Sequence, residues 1–114
     1  MSANILKNIE LEKALDLKAL VDYREGQVVS RTLAQNNAVS LTLFAFAENE
    51  EISSHSSTGD AMVTVLEGAA RITIGGKEHP LSEGETIVMP AGIPHAVLAT
   101  ERFKMLLVVV FPRN

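Results

Sequence analysis

Between two β-rich stretches near the C-terminus the chain carries Gly84-x5-Pro90-Ala91-Gly92-x2-His95, a spacing that few folds accommodate. Read in order, it is a turn at Ser82-Glu83-Gly84-Glu85, a short apolar strand Thr86-Ile87-Val88-Met89, and a tight Pro90-Ala91-Gly92-Ile93-Pro94 turn that delivers His95 to the start of the next strand. A strand of fixed length between two turns aims one imidazole at a chosen place. The joint pattern is far more specific than any of its residues alone.

The remainder of the chain is patterned the same way. From Gln27 onward short strands alternate with turns: Gln27 to Ala34, Ala38 to Ala47, Ile52 to His55, Ala61 to Leu66, Ala69 to Ile74, Lys77 to Leu81, Thr86 to Met89, His95 to Ala99, and Phe103 to Phe111. Turns fall at Gln35-Asn36-Asn37, Glu67-Gly68 and the hairpin Gly75-Gly76. Such a series predicts an all-β sandwich or barrel, whose jelly-roll form closes around an interior cavity. Residues 1–26 read as a separate arm and 27–114 as a single barrel domain. Within the arm, Leu11, Leu15 and Leu20 among charged residues fit either a short amphipathic helix or a docked arm.

Upstream of the first pattern lies Asn49-x5-His55-Ser56-Ser57-x3-Ala61-x6-Gly68. Together the two stretches resemble the paired motifs of the cupin superfamily, over roughly residues 40 to 111. That resemblance implies a cupin-type jelly-roll barrel with a short N-terminal arm or helix. In metal-binding cupins the upstream motif resembles Gly-x5-His-x-His-x3-Glu-x6-Gly, whose two histidines and glutamate join the later histidine around one ion. Here His55, Gly68 and His95 stand in register. Asn49, Ser57 and Ala61 occupy the places of the leading glycine, the second histidine and the glutamate, and Ala99 replaces a frequent terminal asparagine.

What survives of the implied metal set is His55 and His95. No cofactor is fixed by the sequence, and the resemblance makes a divalent iron, manganese, nickel or zinc ion the candidate. Such ions generally take three or four side-chain ligands, while a serine hydroxyl is a poor neutral ligand and an alanine methyl is none. Asp60 is next to the vacated glutamate position, but successive strand residues point to opposite faces, so it should face away from Ala61. His79, between a Gly-Gly turn and Pro80, reads as an edge or loop residue.

Two strands are apolar on both faces: Leu41 to Phe46 and Met105 to Phe111. A sheet with one wet face would alternate, so both faces should be covered, by the arm or by a second subunit. Small cupins resemble one another in pairing through the outer sheet face, which implies a homodimer. The chain has no cysteine, so no disulfide framework or thiolate chemistry is available and the cytoplasm is the expected compartment. No apolar stretch is long enough to span a bilayer as a helix. The net charge is −4 with scattered basic residues, which disfavours nucleic-acid binding. The acidic stretch Glu48-Asn49-Glu50-Glu51 reads as a solvated hairpin loop.

If both motifs line the barrel, the interior holds two imidazoles, the Ser57 hydroxyl and aliphatic walls, with Met62, Met89 and Met105 as adaptable lining or plain core. Three functions compete for such a pocket. In the first, His55, Ser57 and His95 hydrogen-bond a small polar or anionic metabolite without turnover. In the second, His55 and His95 hold a metal for oxygenase or isomerase chemistry of the kind the resemblance implies. In the third, one histidine is the general base of a metal-free enzyme resembling the cupin-barrel sugar epimerases. That third reading wants an orienting carboxylate or a tyrosine acid, and Tyr23, the sole tyrosine, lies outside the motifs. Either histidine alone reads equally well as a neutral core residue satisfied by backbone groups or by Ser57.

Overall fold

A computed structural model describes residues 5–113. Within it the chain runs through nine strands: β1 (Val28–Gln35), β2 (Val39–Phe46), β3 (Glu51–His55), β4 (Asp60–Glu67), β5 (Ala69–Ile74), β6 (Lys77–Ser82), β7 (Thr86–Met89), β8 (His95–Leu98) and β9 (Phe103–Val110). They form two sheets, ordered β1-β2-β9-β4-β7 and β3-β8-β5-β6, with every pairing antiparallel. The architecture is all-β, a jelly roll whose sheets close over one core, and strand bounds lie within a residue or so of those read from the turns. Among the described residues no helix is long and apolar enough to cross a membrane.

Strand alternation decides what is inside. Along β9, Phe103, Met105, Leu107 and Val109 face the core between the sheets, while Leu106 joins the outer cluster and Val110 is exposed. In β4 the inward set is Ala61, Val63 and Val65. The core is filled unevenly. At the Phe103 end, Phe46 and Phe103 are fully buried and stack with centroids 4.6 Å apart, plugging that end with aromatic rings. Toward the Val109 end the lining turns aliphatic and a cavity opens.

Corners between the sheets are made by glycine where side chains have no room. Gly68 joins β4 to β5 at φ +79°, and a Cβ there would collide with the Arg102 carbonyl oxygen. Gly75 and Gly76, at φ +55° and +84°, close the β5–β6 hairpin as expected. The acidic segment Glu48–Glu51 is not a hairpin: β2 and β3 belong to different sheets, and the segment crosses between them, pinned by Asn49 and Ala99 backbone amides.

The described part of the arm is docked and mostly irregular, with bends, rather than an amphipathic helix. One 3-10 turn, Leu17–Leu20, is capped by Asp16, and Leu11 is exposed. Asn8 and Glu12 take positive φ, which breaks helical continuity in a segment already too short to be stable alone. Ile9, Leu17, Leu20 and Val21 cover Leu33, Leu43 and Ala45 on the outer face of β1 and β2. The arm is also held by polar contacts. The Lys104 ammonium, largely buried, donates to the Lys18 carbonyl at 2.6 Å, Arg31 donates to the Leu20 carbonyl at 2.7 Å, and the Tyr23 hydroxyl donates to Glu67 at 2.6 Å. Arg102 and Lys104 lie 4.7 and 4.9 Å from the Tyr23 ring centroid. This explains half of the two-sided apolar patterning. Farther along the same face, Met62, Val88 and Val110 are 39%, 51% and 57% exposed.

Candidate functional site

The two histidines meet because β3 and β8 pair in a register that sets His55 directly across from His95. A register shift between Ile52 and His55 turns the end of β3 toward the interior. The loop carrying His95 is tied to the loop after β3: the Gly92 amide donates to the Ser57 carbonyl and the Ala91 amide to Asp60 Oδ1, both at 2.8 Å. Gly92 adopts φ +77°, the conformation the Pro-Ala-Gly-Ile-Pro turn needs.

The result is a cavity of about 250 Å³ between the sheets. His55, Ser57 and His95 share it with Ala61, Met89 and Met105, and its other walls are aliphatic side chains of β3, β8 and β9. His55 is exposed at the rim and His95 is 3% exposed within. Their Nε2 atoms are 3.2 Å apart, with the rings edge-to-face at 71°. His55 Nδ1 is 3.0 Å from the Ser53 carbonyl oxygen and His95 Nδ1 is 3.3 Å from that of Ile93. The Nε2–Nε2 contact is a ring-to-ring hydrogen bond in which one imidazole donates and the other accepts, and the Ser53 and Ile93 carbonyl oxygens accept from the facing Nδ1 of whichever ring carries its hydrogen there. Burial pushes the His95 imidazole below its ordinary range, with the neighbouring His55 adding to the effect. The Ser57 hydroxyl oxygen accepts from the Gly59 amide at 3.1 Å, which leaves its hydrogen free to donate into the cavity.

The other residues singled out from sequence fall into place around this site. Asp60 faces outward, as its strand parity requires, and caps the Ala91 amide. His79 is on β6, an edge strand, paired with Ile72 and away from the cavity. Tyr23 is on the outer face with the arm, where burial and the Glu67 carboxylate raise its hydroxyl far above the usual phenol range. Met62 points outward, so only Met89 and Met105 line the interior. Ala61 does share the cavity with His55 and Ser57, but from the opposite sheet. Sequence patterning passed over Ile52, Leu107 and Val109, aliphatic wall residues that carry no signal apart from alternation.

The cupin domain family model matches residues 42–111, the span containing both motifs and every lining residue. The chain belongs to the cupin family. A conserved protein of unknown function from Streptococcus pyogenes is 49% identical to this cupin over the whole of both chains, with a TM-score of 0.97. A cupin superfamily protein from Desulfitobacterium hafniense is 36% identical, covering 94% of this chain and 98% of its own, with a TM-score of 0.90. A cupin 2 conserved barrel domain protein from Leptotrichia buccalis is 42% identical over 84% of this chain and 47% of its own, with a TM-score of 0.83. No curated protein matches the chain significantly.

The divalent metal that the family implies does not fit the residues present. Among the described residues no three His, Cys, Asp or Glu side chains come together. The positions beside His55 and His95 that would complete a set are a hydroxyl already engaged with Gly59 and a buried methyl. Two imidazoles alone leave a hard divalent ion mostly to water. Neither imidazole is hydrogen-bonded to a carboxylate, so the cavity offers no orienting partner for general-base chemistry either.

Proposed function

We propose that this cupin is a non-catalytic ligand-binding protein whose interior cavity takes a small organic molecule with an apolar body and one hydrogen-bond-donating group. The observation that carries this reading is the cavity's composition: all its strongly polar atoms belong to His55, Ser57 and His95, and the remaining walls are aliphatic or thioether. A pocket of this kind is the usual form of a small-molecule site, and about 250 Å³ is below the span of drug-sized ligands. Burial disfavours the charged form of His95, so an uncharged alcohol, phenol or amine suits the pocket better than an anion, which would want an imidazolium partner. The Ser57 hydroxyl supplies the one donor.

A thermal-shift screen of metal-stripped protein against small alcohols, phenols, amines and carboxylates tests this. The expected result is stabilisation by members of the donor classes, lost in His55→Ala and His95→Ala. Stabilisation confined to carboxylates, or equal in wild type and variants, contradicts it.

A second subunit is the occupant we assign to the uncovered part of the outer sheet face. Met62 is the cross-strand neighbour of Val88 and of Val108, and Val110 continues the patch. Contiguous exposed apolar surface of this kind marks association sites, and a face shared by two identical sheets closes into a two-fold dimer.

A further inference from the structure

Hydrogens are short at the His55–His95 pair. Three contacts run through the two rings: His55 Nδ1 to the Ser53 carbonyl oxygen at 3.0 Å, Nε2 to Nε2 at 3.2 Å, and His95 Nδ1 to the Ile93 carbonyl oxygen at 3.3 Å. Each contact needs one hydrogen, and two neutral imidazoles carry only one apiece. The ring that donates through Nε2 therefore turns a bare Nδ1 lone pair toward a carbonyl oxygen. Whichever ring that is, one of the two carbonyls goes without a ring hydrogen.

A bound ligand can supply what is lacking. With both ring hydrogens on Nδ1, both carbonyls are served and both Nε2 atoms become acceptors, which two ligand hydrogens fill. A hydroxyl brings one. It either leaves one Nε2 empty or bridges a donating and an accepting ring, and then the same carbonyl stays unserved. An NH2 group brings two on a single atom. An alkylamine would enter as an ammonium, and no carboxylate lines the cavity to receive it. A primary carboxamide is neutral, and its carbonyl oxygen can accept from the Ser57 hydroxyl, whose own oxygen already takes the Gly59 amide. All three polar side chains of the cavity are then used, and the aliphatic and thioether walls take the rest of the molecule.

We propose that the ligand of the cavity is a small primary carboxamide on an apolar body, its NH2 donating to His55 Nε2 and His95 Nε2 and its carbonyl accepting from Ser57. This rests on the organic-ligand reading above and narrows it to one chemical class. Two N–H directions roughly 120° apart, with N···N distances of about 2.9–3.0 Å, place the accepting nitrogens about 5 Å apart. Binding therefore exchanges the ring-to-ring bond for two bonds to the ligand and parts the rings. His55, exposed at the rim, is the ring free to turn, while His95 is 3% exposed within.

The experiment is calorimetric titration of the metal-stripped full chain with benzamide, acetophenone, phenol and aniline, together with imidazole ¹⁵N spectra of the benzamide complex. Benzamide should bind most tightly. Acetophenone, which has a methyl where benzamide has NH2, should bind at least about tenfold more weakly, since two buried acceptors lose their partners. Ser57→Ala should weaken benzamide by about fivefold or more and leave aniline, which has no carbonyl, unchanged. The ¹⁵N shifts should show a hydrogen on Nε2 of one ring without ligand and on neither Nε2 in the complex, a readout that needs no variant. Acetophenone or phenol binding as tightly as benzamide, equal losses for benzamide and aniline in Ser57→Ala, or an Nε2 hydrogen that persists in the complex overturns the carboxamide assignment and leaves the organic-ligand reading standing. Silence from all four compounds overturns both.

Discussion

His95→Leu should make this protein more stable, which is the opposite of what replacing a satisfied core histidine does. His95 is 3% exposed in a cavity with aliphatic walls, and its two hydrogen bonds, to the Ile93 carbonyl at 3.3 Å and to His55 Nε2 at 3.2 Å, are both long. Ile93 and His55 are exposed, so water can replace the lost partner at each. Losing two bonds of this kind costs about 1 kcal/mol, each at the low end for neutral pairs. Burying a leucine side chain contributes about 1.5–3 kcal/mol, part of which the imidazole carbons already supplied. The net is a gain of about 0.5 kcal/mol. With an unfolding entropy of about 2.1 cal/mol/K per residue over 114 residues, that raises Tm by about 2 °C. Protonation adds a signature. The folded state lowers the His95 pKa from 6.5, so below that pH the unfolded chain binds the proton more readily and wild-type stability declines as pH falls toward the folded value. His95→Leu lacks this linkage. Calorimetric unfolding at pH 8 and pH 5.5 should therefore show the variant above wild type at both, with the wider gap at pH 5.5. A variant that melts several degrees below wild type at pH 8 would refute the reasoning and return His95 to the role of an ordinary core residue.

Three further outcomes follow from other parts of the molecule. Tyr23→Phe removes the 2.6 Å hydroxyl–carboxylate bond to Glu67 and should cost about 1–2 kcal/mol in urea unfolding, discounted for partial exposure; an unchanged midpoint means the bond does not hold the arm. Gly68→Ala forces φ +79° on a residue with a Cβ and meets the Arg102 carbonyl, so a loss of at least about 1–3 kcal/mol is expected by the same assay, and a neutral result contradicts the corner geometry. Light scattering should give a dimer mass for wild type at micromolar concentration and a monomer mass for Val88→Lys; a wild-type monomer rules out the assigned subunit contact.

Much of this architecture was legible because its signals are local. The Gly-Gly hairpin, the Pro-Ala-Gly-Ile-Pro turn and the run Thr86–Met89 fix their own geometry, and β5 and β7 begin and end where the pattern puts them. The arm was ambiguous for a physical reason: Leu11, Leu15 and Leu20 have helical spacing, but the covering surface of β1 and β2 takes Ile9, Leu17, Leu20 and Val21 instead, a choice made by tertiary packing. The Glu48–Glu51 segment looked like a hairpin loop because composition does not say which sheet the next strand joins. At the site, motif spacing located His55, Ser57 and His95. It did not reveal that the two Nε2 atoms meet at 3.2 Å with a backbone carbonyl behind each ring, because Ser53 and Ile93 contribute backbone oxygens that no sequence pattern encodes. Met62, Met89 and Met105 read alike from sequence, as lining or plain core, and separating the two cavity methionines from Met62 needs the alternation along β4 and β7 resolved in space.

The most direct measurement of the central claim uses the methionines as reporters. In metal-stripped protein labelled with ¹³C at the methionine methyls, Met89 and Met105 report the cavity and Met62 the outer face. Spectra recorded against a panel of small phenols, alcohols and amines should contain compounds that shift Met89 and Met105 at saturable concentrations and leave Met62 unmoved, with the shifts abolished in His55→Ala/His95→Ala. Methyl resonances of Met89 and Met105 that respond to no compound, or that respond identically when both histidines are gone, would contradict a ligand site built on His55, Ser57 and His95.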